Sequence, residues 1–354
     1  LLVAWTKAIL LALFVLYIIW MALLLYRTVN EAGVITAIGQ EMPGIAHDKP
    51  AQALLLAWIF GAFLQGATGF GVPAAVVAPL LLGMGFAAST AVVVALLGHA
   101  WAVTFGSLGS SFVSLIAATG VPGAALAGPA SALLAVAALG CGIGVLWLVN
   151  GWTAVKRRGL FVLLLTLVMG GAQWAIARSG LWTLAALGAG LTGLLVAIPL
   201  LSRQTNRANA SQVPQAVDSG ENSRTKRLLI AFLPYMILIA VVLLGQLIFA
   251  DMLNAIIINP QFPETCTSQG WCIPAGTGRS ISLFGHGGAL LLYASLLTML
   301  WYRWRGPLPT AESPVYRMAT IIRKTLQGMI KPTIGVYTLV AMALTMEHAG
   351  MTQL

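Results

Sequence analysis

The chain has 354 residues, 59% of them hydrophobic and only 8% charged, with a formal net charge of +10 and a mean hydropathy of +0.92. A soluble domain carries about 25% charged residues, so a water-facing globule and a disordered chain are both excluded, and the sequence reads as an integral membrane protein. Its apolar runs extend for about 20 residues, where barrel strands would alternate over about ten, so the spans are helical.

The first span runs from Ala8 to Tyr26, with Lys7 before it and Arg27 after it. Asn30 to Pro50 is mixed and weakly charged, with Val34, Ile35, Ile38 and Ile45 giving it an amphipathic character that predicts an interfacial segment. From Ala51 to Phe86 the chain stays apolar, but Gly66, Gly69, Gly71 and Pro73 cluster at the middle. Gly and Pro cost about 1 and 3 kcal/mol in a helix interior, which leaves two full spans with a tight turn, or a re-entrant hairpin whose tip lies inside the protein. The arms, Ala51 to Gln65 and Val72 to Phe86, fall short of the roughly 20 residues a crossing needs and favour the hairpin. Ala88 to Val121 is interrupted by small and hydroxyl residues from Gly106 to Ser111 and reads as one discontinuous span. Further spans are expected at Gly123 to Val149, Gly159 to Ala177, Leu181 to Leu201, Leu228 to Ala250 and Ile281 to Trp301, with Lys331 to Met346 beginning another.

The Lys and Arg residues lie between these runs, where they report orientation and not nucleic-acid binding. The groups Lys156 to Arg158, Arg203 to Arg227 and Arg303 to Lys324 are placed in the cytoplasm by the positive-inside rule. The resulting organisation is a membrane helix and interfacial segment (1–50), a hairpin and broken helix forming a transport unit (51–121) and further membrane helices (122–201). A polar cytoplasmic linker (202–227), membrane helices with an external loop at 251–280 (228–324) and the start of a further unit (325–354) follow. Cys266 and Cys272 fall in the external loop, oxidising ground that allows a small disulfide loop. Three cysteines are too few for a disulfide framework or a zinc site, so no metal is expected.

The phrase GATGFGVP, Gly66 to Pro73, combines glycines that let a ligand approach the main chain with a half-helix beginning at Pro73 whose free amides point at the tip. Helix N-termini of this kind hold anions; glycines also allow close helix packing, and both readings stand at this stage. FGSLGSS, Phe105 to Ser111, supplies hydroxyls at comparable depth. Two interrupted segments in one bundle point to a substrate site built from Gln65, Gly66, Thr68, Gly69, Gly71, Ser107, Ser110 and Ser111. His99 and His286 are the proton-relay candidates, against the alternative of a neutral imidazole bonded to a backbone carbonyl. No carboxylate lies in a complete apolar span, and GxxxxGK[ST], GxSxG and HExxH are absent, which argues against a primary pump and against an enzyme.

Ile59 to Phe86, IFGAFLQGATGFGVPAAVVAPLLLGMGF, resembles the signature of the bacterial L-lactate permease family, whose members carry lactate and glycolate as proton symporters. The resemblance continues through Ala8 to Tyr26 and the FGSLGSS break. It implies an all-α polytopic membrane protein of the ion-transporter superfamily kind: a bundle with a re-entrant helical hairpin and a discontinuous helix, the first of two inverted repeats plus the start of the second. On that pattern an opening span or two and a second hairpin belong outside this chain. The sequence departs from the family in carrying Gln65 where members commonly have Glu, Thr68 for Ala and Val72 for Thr. The implied function is secondary active import of a small monocarboxylate, lactate or glycolate, across a bacterial inner membrane by proton symport. Backbone amides and hydroxyls would hold the carboxylate, and Gln65 would orient it. An anion channel, or a transporter of another small organic anion, is the alternative. No cofactor is expected: the proton gradient serves as the coupling force, with sodium left open. The partners are the monocarboxylate and the bilayer, no nucleic acid is among them, and homo-oligomerisation stays open.

Overall fold

The computed structural model describes residues 1–34, 37, 45–46, 48–69, 71–119, 121–210, 221–268, 270–306 and 318–351. The interfacial segment expected between Asn30 and Pro50 lies largely outside these residues. So does the centre of the expected linker, although its flanks are helical up to Ala210 and again from Glu221. Among the described residues six helices are long and apolar enough to cross a bilayer, or seven when a bent pair counts as one crossing. The protein is an all-helical polytopic membrane protein, and among the described residues its strands lie between Ile257 and Ser282.

The chain forms two compact units. One contains Leu1–Thr28, Ile237–Leu300 and the helix that starts at Met318. Its first helix, α1 (Leu2–Glu31), is 30 residues long and outruns the expected Ala8 to Tyr26 span at both ends. Ala12, Leu16 and Ile19 on α1 pack against Val336, Tyr337 and Val340 of the helix Met318–His348. Trp20 Nε1 donates to Thr333 Oγ1 at 2.9 Å along the same seam. The segment expected as a plain external loop is a long antiparallel hairpin made of three short ladders: Ile257–Ile258 with Ile281–Ser282, Gln261–Phe262 with Gly276–Thr277, and Thr265–Cys266 with Cys272–Ile273. Cys266 and Cys272 face each other in the last ladder and are joined by a disulfide. The ladder also corrects the expected Ile281 to Trp301 span, because Ile281 and Ser282 are strand residues and the helix that follows begins at Gly287.

The second unit is built on Val29–Met236. Its central helix, α2 (Lys49–Ala67), is buried along nearly all its length, as a helix that is apolar all round must be. Asp48 caps its N-terminus by accepting from the Ala51 amide at 3.3 Å, and Pro50 fits the first turn. A π-helical stretch from Leu54 to Phe60 interrupts its regular winding. After a four-residue tip the chain returns as α3 (Val72–Gly83). Lys49 Nζ donates to Gly85 O at 2.7 Å, so the start of α2 and the end of α3 lie at the same end of the unit. The hairpin is therefore real, but its arms are unequal. α2 has 19 residues, enough to cross, whereas α3 has 12; the sequence had suggested two matched half-spans.

Two further helices, α4 (Ala88–Ala102) and α5 (Gly106–Thr119), are the interrupted span, bent by 53° across the break. α6 (Gly123–Arg178) has 56 residues, which straight would reach about 84 Å. It folds back at Asn150 and Gly151, whose dihedrals leave the helical region. A Cβ on Gly142 would meet Val162, and one on Gly170 would meet Ala135, so the two arms run antiparallel. The second arm thus starts well before the expected Gly159, and Lys156, Arg157 and Arg158 are helical rather than looped. Arg158 grips Asp48 with Nη2 at 2.7 Å and Nε at 3.1 Å, which brings the basic end of the α6 hairpin to the foot of α2. α7 (Trp182–Gln204) completes the unit, running antiparallel to α2, with Gly190 against Phe63 and Gly193 against Ile59.

Candidate functional site

From Pro50 to Val155 the chain has no Asp, Glu, Lys or Arg. Both interruptions of the second unit come from this stretch, and the structure brings them together. At the tip between α2 and α3, Thr68 leaves helical geometry, and Gly69 and Gly71 have φ of +62° and +81°, which side-chain-bearing residues rarely adopt. Phe70 lies outside the described residues. The Thr68 hydroxyl donates to Leu64 O at 2.8 Å and the Val72 amide to Gly69 O at 3.0 Å, so the turn closes on its own atoms. α3 starts at once, with Pro73 in its first turn, directing the positive end of its dipole toward the tip.

The break between α4 and α5 is more unusual. Ser107, Leu108 and Gly109 adopt three successive left-handed conformations, with φ of 49°, 52° and 70°. For the two residues with side chains this costs roughly 1–2 kcal/mol each. Surrounding contacts hold the turn. The Phe112 amide donates to Thr104 O at 3.1 Å across its mouth, Leu108 is buried, and the Phe105 and Phe112 rings pack at 4.7 Å. Ser107 Oγ donates to Thr68 O at 3.0 Å, a hydrogen bond that joins break to tip. A Cβ on Gly69 would overlap Ser107 Oγ, and one on Gly106 would sit 2.6 Å from Gln65 Nε2. Gln65, Thr68, Gly69 and Ser107 therefore form one contact cluster.

The other candidates divide. Gly66 is turned toward α7, where a Cβ would strike the Leu187 backbone, so its role is the close helix packing that the sequence left as an alternative. Gly71 faces open space. Ser110 is buried just beyond the left-handed turn, whereas Ser111 is exposed on the other side of α5. His99 packs against Gly61, one α-helical turn before Gln65 on the same face of α2, and its Nδ1 donates to Ala95 O at 2.7 Å. His286 belongs to the first unit. Its ring stacks on Tyr17 and stands edge-on to Phe14, and its Nδ1 accepts from the Gly288 amide at 3.1 Å. Sequence reasoning did not find Trp182, whose carbonyl lies beside Gly109 and whose ring packs on Phe112. Nothing local marks Trp182, since only the packing of α7 brings it to the break.

An all-helical bundle in which the tip of a helical hairpin meets the break of an interrupted helix, both from a stretch free of fixed charge, defines a multi-pass membrane protein with a polar cluster inside its apolar interior. The chain belongs to the L-lactate permease family, whose model matches residues 1–354. It is similar to an L-lactate permease of Bacillus subtilis, 38% identical over 106 residues, 30% of this chain and 19% of that protein. An L-lactate permease of Halalkalibacterium halodurans is 32% identical over 145 residues, 40% of this chain and 28% of that protein. The glycolate permease GlcA of Escherichia coli is 33% identical over 147 residues, 40% of this chain and 25% of that protein. The chain thus matches well under a third of the length of these relatives. No solved structure matches it.

Proposed function

We propose that the full-length protein is a secondary transporter, and not an enzyme, that imports a small monocarboxylate such as lactate or glycolate across a bacterial inner membrane together with protons. The observation that carries this reading is the meeting of tip and break at Gly69 and Ser107 within a stretch that holds no fixed charge. Discontinuous helices form substrate sites in many transporters because they supply backbone groups and helix ends to a ligand at membrane depth. Here the ligand would be held by dipoles: the N-terminal end of α3, the Gln65 amide and the Ser110 hydroxyl.

The absence of charge also bears on coupling. A carboxylate moved through such a site carries its own negative charge, the stretch that supplies tip and break offers no Lys or Arg to offset it, and a charge in a low-dielectric interior is costly. A proton travelling with it makes the cargo neutral. Gln65 cannot carry that proton. His99 is the candidate for it, an imidazole buried against Gly61 one turn along the same face of α2.

Uptake of labelled L-lactate and glycolate by proteoliposomes, with and without an inward proton gradient, tests both parts. Accumulation that follows the gradient is the expected result. Downhill flux that ignores the gradient would make the protein a channel, and absence of uptake in folded protein would reject these substrates. His99→Gln is expected to abolish gradient-driven accumulation while leaving lactate exchange between the two sides; undiminished accumulation would remove His99 from the proton path.

A further inference from the structure

In the cluster where tip meets break, the other side chains are committed: the Thr68 hydroxyl bonds Leu64 O, and the Ser107 hydroxyl bonds Thr68 O. Gln65 is different. Its side chain is 5% exposed, and its Oε1 is buried with no hydrogen-bond partner. Nε2 lies against Gly106, where the missing side chain leaves room for the amide. A buried amide oxygen left unpaired is destabilising, and native proteins rarely keep one without a use. The stretch that supplies both interruptions, Pro50 to Val155, holds no Asp, Glu, Lys or Arg to which Gln65 could serve as an accessory.

We propose that Gln65 is the specificity-determining residue that reads the 2-hydroxyl group of the substrate. The inference rests on the monocarboxylate reading above and narrows it to 2-hydroxy acids. A carboxamide presents one acceptor and one donor side by side. A 2-hydroxy acid presents the complement on adjacent carbons, a hydroxyl that donates and a carboxylate that accepts. Oε1 takes the hydroxyl proton in a hydrogen bond and Nε2 donates to the carboxylate, so one side chain fixes both groups. A 2-oxo acid offers only lone pairs at the first position and meets Oε1 with repulsion. An unsubstituted acid leaves Oε1 unpaired. A site built to pair with a substrate hydroxyl rejects the analogue that lacks it far more strongly than an apolar pocket rejects a change in size. The role is selectivity and not coupling, since the amide neither gains nor loses a proton.

The experiment is competition against labelled L-lactate uptake by the full-length protein in proteoliposomes, with glycolate, pyruvate and propionate as competitors. In the wild type, pyruvate and propionate are expected to inhibit at concentrations at least about tenfold above those of unlabelled lactate. Gln65→Met keeps the side-chain length and removes the amide. It is expected to weaken lactate about tenfold and bring lactate and propionate within about twofold of each other, with the dependence on the proton gradient retained. Gln65→Asn, whose amide is withdrawn by one carbon, should fall between. An unchanged lactate-to-propionate ratio in Gln65→Met would overturn the proposal. So would a wild type that does not distinguish lactate from propionate, a result that needs no variant to fold. Uptake with the wrong ratio defeats this inference alone, while a wild type that carries no 2-hydroxy acid defeats the transport reading and the inference with it.

Discussion

The two interruptions that meet in the second unit achieve the same thing by different means. At the tip, positive φ falls on Gly69 and Gly71, residues with no Cβ to clash. At the break it falls on Ser107 and Leu108 as well as Gly109, two of which adopt a conformation that their side chains oppose. The tip is a relaxed turn written into its own residues. The break is a strained one, held by the bond from Ser107 to the Thr68 carbonyl, by the closure from Phe112 to Thr104 and by burial of Leu108. Strain that persists at a site is maintained by its surroundings, so the break depends on the tip more than the tip depends on the break.

That asymmetry can be attacked directly. The largest effect is expected from Gly69→Val, which drives a branched side chain into Ser107 Oγ at a position with φ of +62°. Uptake should fall below detection while membrane insertion and expression persist; normal transport would take the hairpin out of the candidate site. A smaller but more discriminating pair is Ser107→Ala against Ser107→Gly. Both remove the hydroxyl that bonds Thr68 O, but only glycine relieves the left-handed strain. Thermal unfolding in detergent should find the glycine variant more stable than the alanine variant by about 1–2 kcal/mol. Equal stabilities would mean that the break is not strained.

The smallest expected effect tests the opposite end of the hairpin. Asp48 and Arg158 form a two-bond ion pair whose side chains are 24% and 12% exposed. Asp48→Asn keeps the cap and weakens the pair. A loss of about 1 kcal/mol is expected, shrinking as salt is added, with transport selectivity unchanged. A change in selectivity would connect the foot of α2 to its tip and remove the contrast between a fixed base and an adaptable apex.

The tip was legible because its chemistry is local. Gly66 to Pro73 declares a turn by composition, and the structure puts one within it. The same logic placed the interruption at Gly106 to Ser111 and paired it with the tip as a second feature. Sequence reasoning could not tell which small residues face the break and which pack elsewhere. Gly66 serves the contact with Leu187, Gly71 faces open space and Ser111 is exposed, although all three sit within a few residues of Gly69 and Ser107. Which face of a turn points inward depends on what packs against it, and α7 lies far along the chain. The fold of α6 was also only partly legible. Its charged residues Lys156 to Arg158 suggested a loop, yet the turn falls earlier, at Asn150 and Gly151, because Lys and Arg are good helix formers while glycine is not.

The sequence alone determined that this chain lives in a membrane, that its spans are helical and that the chain is interrupted within Gly66 to Pro73 and Gly106 to Ser111, since a hydrocarbon interior tolerates charge and open backbone only at a heavy cost in free energy. It also determined that the stretch supplying tip and break carries no fixed charge, because no Asp, Glu, Lys or Arg occurs between Pro50 and Val155. Tertiary structure decided the rest: that tip and break touch through Ser107 and Thr68, that Ser107 and Leu108 are held in left-handed geometry, and that Gln65 is buried with its carbonyl oxygen unpaired. These depend on contacts between residues some forty positions apart, and no local preference for helix or turn contains them.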